Sequence, residues 1–167
     1  WGNLAYVGYT TGINILLNIF FGPSINAARG IAYQVNGALN NFASNFRVAI
    51  NPQIVKSYAS EDYKYMNNLV FKSSKYSFFL LFTLALPVLI ETDVILKWWL
   101  KTVPDYTAIF SRLVIISTMI DCIAAPLTTT AQATGRIKKY QFVTGFLFLS
   151  ILPISYVLLK LGNPPQI

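Results

Sequence analysis

The sequence contains no histidine and a single cysteine, Cys122, among its 167 residues. These absences exclude disulfide bonds within the chain, metal sites built from cysteine or histidine, and every catalytic arrangement that needs an imidazole. The sequence also has no glycine-rich phosphate loop and no nucleophile beside a general base. We therefore predict no catalytic residue, no metal site and no cofactor, and we do not expect an enzyme.

Charged residues are also scarce. They make up 11% of the chain, whereas hydrophobic residues make up 54%, and a soluble protein has about a quarter of its residues charged. Several runs approach the roughly 20 apolar residues that cross a bilayer core. We therefore predict an integral membrane protein, because a soluble helical domain would have to bury segments such as 78–90 entirely.

Acidic residues are fewer than basic ones: the chain has six acidic and 13 basic residues, for a net charge of +7. The basic residues stand at the ends of apolar segments rather than in one dense patch, so they indicate membrane topology rather than a nucleic-acid partner. The chain opens at Trp1 without a positively charged leader. This start is typical of a fragment of a longer protein.

The apolar pattern predicts five membrane-spanning helices, at approximately residues 4–21, 28–50, 76–96, 106–131 and 140–161. Residues 53–75 are predicted to form a loop or a short surface helix. Short connections favour an all-α, polytopic, up-and-down helical bundle that occupies residues 1–167 as one domain. Lysines concentrate after the second and fourth spans, which predicts a cytoplasmic N-terminus.

The second span has an unusually polar face. At about 100° per residue, Arg29, Asn36, Asn40 and Arg47 fall nearly on one line, with Tyr33 beside it. The two arginines are separated by roughly 27 Å along the helix. A polar track with a cation at each end suits an anionic, hydroxyl-rich ligand such as a diphosphate. Alternatively, the arginines extend to the interface and anchor the helix ends.

The first and fourth spans carry further candidates. A polar stripe on the first span is predicted to face the protein interior, either to contact ligand at Asn14 and Asn18 or to bond neighbouring helices; it comprises Asn3, Tyr6, Thr10, Asn14 and Asn18. In the fourth span Asp121 is the only acid well inside an apolar segment. It is a candidate ion-coupling residue, with a structural partner role as the alternative.

Three segments carry a resemblance to a known family: FGPSINAARGIAYQVNGALNNFASNFRVAINPQIVKSYAS, KYSFFLLFTLALPVLIETDVILKWWL and AQATGRIKKYQFVTGFLFLSILPISYVLLKLG. Together they resemble the second half of the polysaccharide and O-antigen flippases of the multidrug/oligosaccharidyl-lipid/polysaccharide exporter superfamily. The version here is similar to the Bacteroidota type that serves lipopolysaccharide biosynthesis. The resemblance covers essentially the whole chain, and its most specific part is the first segment.

The resemblance implies a part of a larger two-lobe transporter whose central cavity opens alternately to either side of the inner membrane. It implies transport of an undecaprenyl-diphosphate-linked oligosaccharide, with membrane lipids and the remaining transmembrane helices as partners and cavity arginines on the diphosphate. Two alternatives stay open. One is a multidrug or small-cation exporter of the same superfamily, which would depend on Asp121. The other is a non-transporting membrane scaffold for glycan assembly that recruits enzymes through its lysine-rich segment.

Overall fold

The computed structural model describes residues 2–135 and 137–166, apart from the side chain of Asn3. Trp1 and the predicted role of Asn3 therefore lie outside the described residues. Six helices follow one another in this part of the chain: α1 (Gly2–Phe21), α2 (Pro23–Ala59), α3 (Tyr63–Ile90), α4 (Thr92–Trp99), α5 (Thr107–Ala133) and α6 (Lys138–Lys160). The protein is an all-α, polytopic helical bundle, as the sequence predicts.

The helices form two groups. Helices α2, α3 and α5 pack against one another in a three-helix unit, and the short helix α4 lies against α3 and α5. Helix α6 packs on α1, and α1 in turn packs on α2. Within the described residues, the α1–α6 pair is therefore joined to the three-helix unit chiefly through the contact between α1 and α2.

Small residues bring the three helices of the unit close together. The buried positions of α3 recur every four residues, at Ser73, Ser77, Leu81 and Ala85, and the facing side of α2 buries Leu39 and Ala43. In a membrane there is little hydrophobic drive between helices, so close packing of small side chains supplies the attraction. The sequence's serines and alanines thus position α2 against α3 and α5.

Four helices are long and apolar enough to cross a membrane: residues Leu4–Phe21 of α1, then α3, α5 and α6. They correspond to four of the five predicted spans. The second predicted span, 28–50, lies in α2, which is long enough but too polar to belong to this group. The amides and arginines that make α2 a candidate site are also what lowers its hydropathy.

Two predicted boundaries are wrong. The second predicted span ends at Asn51-Pro52, and residues 53–75 are predicted as a loop or short surface helix, but α2 continues through Pro52 to Ala59 and α3 begins at Tyr63. The reason is a packed contact between the two helices, in which fully buried Ile54 of α2 meets Met66 and Val70 of α3. This contact holds both segments helical.

The third predicted span, 76–96, also differs from the structure, because it crosses the junction between two helices. Helix α3 ends at Ile90, Glu91 lies at the break, and α4 begins at Thr92. The Thr92 hydroxyl donates back to the Val88 carbonyl at 2.6 Å, within the last turn of α3. The apolar run thus continues through a change of helix, which the composition alone did not reveal.

Candidate functional site

Arg29 is the only charged side chain that is buried in the described part of the chain, with 8% of its surface exposed. Its Nη1 donates a hydrogen bond to Asn14 Oδ1 of α1. Its Nη2 lies 3.5 Å from the Tyr33 hydroxyl, and its Cζ lies 5.1 Å from the centre of the Tyr33 ring. The structure therefore brings together three of the residues that the sequence predicts to bind ligand.

The local sequence explains this arrangement. Arg29 and Tyr33 are four residues apart on α2, so they lie on one face a single turn apart. Between α1 and α2 only Gly22 is left out of a helix, and its φ of 81° is a left-handed conformation that glycine adopts without steric cost. This tight turn sends α2 back along α1, so that Asn14 meets Arg29.

An apolar cluster lies beside Arg29, where α1, α2 and α5 meet. Buried Leu17 of α1, Ile25, Ala28 and Ala32 of α2, and Phe110 of α5 pack together there. Because Ala28 and Ala32 have no exposed surface, the Arg29 side of α2 lies directly against its neighbours. The cluster holds the segment of α2 that carries Arg29, and the contacts with Asn14 and Tyr33 orient the guanidinium, as a binding residue requires.

Arg29 and Tyr33 border two spaces. One is a polar groove of about 630 Å³ between α1 and α2, lined by Tyr6, Thr10, Asn14, Pro23, Asn26, Ala27, Arg29, Gly30 and Tyr33. The other is a smaller cavity of about 180 Å³ among α1, α2, α5 and α6, whose lining is mostly apolar and includes Ile13, Leu17, Val114 and Leu158. Arg29 thus borders both a groove lined largely by polar side chains and a mostly apolar cavity.

Arg47 lies in a separate environment at the other end of the predicted track. Its Nη2 donates to Asn40 Oδ1 at 3.0 Å, seven residues earlier on the same helix. Between the two arginines, the Thr118 hydroxyl of α5 donates to Asn36 Oδ1 at 2.5 Å. Asn36 therefore ties α2 to α5, which is a structural contact, and the two arginines do not form one site.

A second tie joins the same helices further along, where the Thr129 hydroxyl donates to Asn51 Oδ1 at 3.2 Å. Sequence reasoning missed both threonines as partners of asparagines, because the pairing depends on how α5 packs against α2. It also missed Asn26, which lines the polar groove. The spacing could have revealed Asn26: it lies three residues before Arg29 and seven before Tyr33, so the three residues share one side of α2.

The remaining predicted site residues lie elsewhere. Asn18 is exposed on α1 and is not among the residues that line the groove. Asp121 is exposed on α5, and within the residues that the structure describes it forms no ion pair. Arg112, nine residues earlier on α5, pairs with Asp93 of α4 at 2.7 Å. The structure thus does not join Asp121 to the Arg29 groove.

The chemistry available at Arg29 is recognition of an anion. A guanidinium has five N–H donors, and two of its nitrogens are engaged, by Asn14 and Tyr33. Its remaining donors can hold a phosphate or carboxylate oxygen, and the amides and hydroxyls of the groove can bind hydroxyl groups beside it. No family model, no curated protein and no solved structure matches this chain.

Proposed function

We propose that the protein takes part in moving an oligosaccharide linked to undecaprenyl diphosphate across the bacterial inner membrane, for lipopolysaccharide or surface polysaccharide assembly. One observation carries the proposal: buried Arg29 borders a polar groove on one side and an apolar cavity on the other. A lipid-linked sugar diphosphate has the same three parts in the same order, namely sugar, anion and hydrocarbon.

The groove is suited to the polar end of such a substrate. Its volume of about 630 Å³ lies within the range of about 300–1,000 Å³ that is usual for small-molecule sites. In this proposal the diphosphate accepts hydrogen bonds from Arg29, and the first sugar contacts Asn26 and Thr10. Because Arg29 is buried, its charge is less screened by water than a surface charge would be.

The division into two helix groups suits a transporter that alternates between two conformations. Secondary transporters commonly move one bundle against another around a binding site that lies between them. Here the site lies where α1 meets α2, which is also where the α1–α6 pair joins the three-helix unit. A ligand that competes with Asn14 for Arg29 would loosen this junction.

The proposed location is the inner membrane, with several crossings and a cytoplasmic N-terminus. Its support is the distribution of lysines: Lys56, Lys64, Lys72 and Lys75 stand at the α2–α3 end, and Lys138 and Lys139 stand at the start of α6. An excess of basic residues marks the cytoplasmic side of membrane proteins. Residues of the α3–α5 connection, by contrast, mix lysines with acids.

The test replaces Arg29 in a host strain whose surface glycan depends on the protein. We expect Arg29→Gln to abolish surface glycan, because it removes the charge that holds the diphosphate, and Arg29→Lys to retain part of the activity, because it keeps the charge without the planar fork of donors. The matched control is Arg112→Gln, which breaks an exposed ion pair with Asp93 and should leave glycan unchanged.

The amount of each variant in the membrane fraction is measured in parallel, so that a loss of glycan can be separated from a loss of protein. Normal surface glycan in an Arg29→Gln strain that contains normal amounts of protein would refute the role of Arg29. Equal losses in Arg29→Gln and Arg112→Gln would show that any lost cation has this effect, and would refute a site at the groove.

A further inference from the structure

A separate groove lies between α3 and α5. It has a volume of about 370 Å³ and is lined by Phe71, Ser74, Lys75, Phe78, Phe79 and Ile123. The Ser74 hydroxyl donates to the Ile123 carbonyl at 2.9 Å, which fixes α3 against α5 at this point. The groove is therefore a built feature of the helix contact and does not depend on a loop.

The groove is lined almost entirely by apolar surface, and Lys75 stands beside it, between Phe71 and Phe78 along α3. Phe71 and Phe79 expose 72% and 53% of their surfaces, and Phe78 stacks on Phe82 with ring centres 5.9 Å apart. Phe78, Phe79 and Phe82 follow Lys75 along α3, toward its apolar part, whereas Phe71 precedes it by one turn. They form a surface on which a hydrocarbon chain can lie.

Two lysines stand beside this groove, and neither has an acidic partner among the described residues. Lys72 and Lys75 are three residues apart on α3, so they lie on adjoining positions of one face, and both are exposed. Among the described residues the only ion pair joins Arg112 to Asp93, at the other end of the bundle. Both lysine ammonium groups are thus available to an anion from outside the chain.

We propose that this groove is a binding site for one anionic phospholipid. Its phosphate lies between the ammonium groups of Lys72 and Lys75, and one acyl chain lies along Phe78, Phe79 and Ile123. Positive charge beside an apolar groove selects an anionic over a zwitterionic headgroup, because lysines near a membrane surface are attracted to anionic lipids. This site is independent of the Arg29 groove and of the proposed transport.

The test measures lipid retention by native mass spectrometry of the purified chain released from detergent. The probes are dioleoyl-phosphatidylglycerol and dioleoyl-phosphatidylcholine, which share their acyl chains and differ in net charge. We expect one phosphatidylglycerol to be retained in preference to phosphatidylcholine. Replacing lysine by glutamine should weaken phosphatidylglycerol binding about fivefold for each lysine removed, so Lys72→Gln with Lys75→Gln should abolish the preference.

Two further variants separate this site from general attraction. Lys97→Gln makes the same change of charge on α4, at the other end of the bundle, and should leave the preference intact. Phe79→Ala should weaken retention of both lipids equally, because it removes part of the surface for the acyl chain. The proposal is overturned if the unaltered protein retains both lipids equally, if Lys97→Gln acts like the double variant, or if Phe79→Ala changes nothing.

Discussion

The contact between α1 and α6 offers a sharp test of the fold, because it depends on a glycine. A Cβ atom added at Gly12 would lie 2.5 Å from Cδ2, 3.0 Å from Cδ1 and 3.3 Å from Cγ of Leu152. Carbon atoms in contact settle at about 3.5–4.0 Å, so Leu152 or the helix would have to move by roughly 1 Å. Gly12→Ala should therefore destabilise the pair.

The expected change in the unfolding free energy of Gly12→Ala is the sum of two opposing contributions. Overpacking of this kind costs about 1–3 kcal/mol, whereas alanine gains up to about 1 kcal/mol over glycine as a helix former. Gly8→Ala supplies the control, since a Cβ at Gly8 meets no atom within 4 Å and gains only the second term. Because the closest atoms are the terminal methyls of the half-buried Leu152 side chain, which can rotate away, the difference in unfolding free energy between the two variants should be about 1 kcal/mol, at the low end of the overpacking range.

The assay is reversible unfolding of the purified protein by sodium dodecyl sulfate in mixed micelles, followed by circular dichroism. Gly12→Ala and Gly8→Ala are measured in the natural background and again with Leu152→Ala, which removes the atoms that clash. In that second background the two alanine variants should have equal effects. Equal effects already in the natural background, or a difference that persists without the Leu152 side chain, would refute this packing of α1 on α6.

Two further predictions use the same unfolding assay. Thr118→Val removes the donor to Asn36 and should cost about 0.6 kcal/mol, the average measured for hydrogen bonds between membrane helices, and at most about 1.7 kcal/mol. Thr83→Val, whose exposed hydroxyl bonds only within α3, should cost less, and equal losses would contradict an α2–α5 tie. Asp62→Ala removes the acceptor of the Tyr65 N–H at the start of α3 and should lower the unfolding free energy by about 0.5–2 kcal/mol. Asp62→Asn keeps an acceptor for this N–H and should retain the stability. A similar loss of stability with asparagine would show that the charge matters, and not the hydrogen bond.

The membrane character and the all-helical class could be predicted because they depend on composition and on local periodicity. The end of α2 could not. Proline lacks an N–H and crowds the carbonyl four residues earlier, so Pro52 predicts a helix end. In the structure α2 nevertheless continues through Pro52. The affected carbonyl belongs to Val48, which is 68% exposed. The packing of Ile54 against α3 outweighs that local cost, and such packing is set by residues distant in sequence.

Part of the candidate site could also be predicted from the sequence. The shared face of Arg29 and Tyr33 follows from helical spacing, and both residues line one groove with Asn14. The separation of Arg47 into its own environment agrees with the roughly 27 Å along the helix. The partners of Asn36 and Asn51 could not be found, because a threonine on α5 reaches each asparagine only after α5 has packed on α2.

The pairing of the first helix with the last has a consequence for biosynthesis. Ribosomes deliver helices in order, and α1 emerges more than 100 residues before α6, its principal neighbour. During that interval the α1 surface around Gly12 faces lipid or a helper protein, while α2, α3 and α5 can already assemble. Contacts between such distant segments form slowly, so the α1–α6 contact should form last, after the nearby contact of Asn14 with Arg29 has joined α1 to α2.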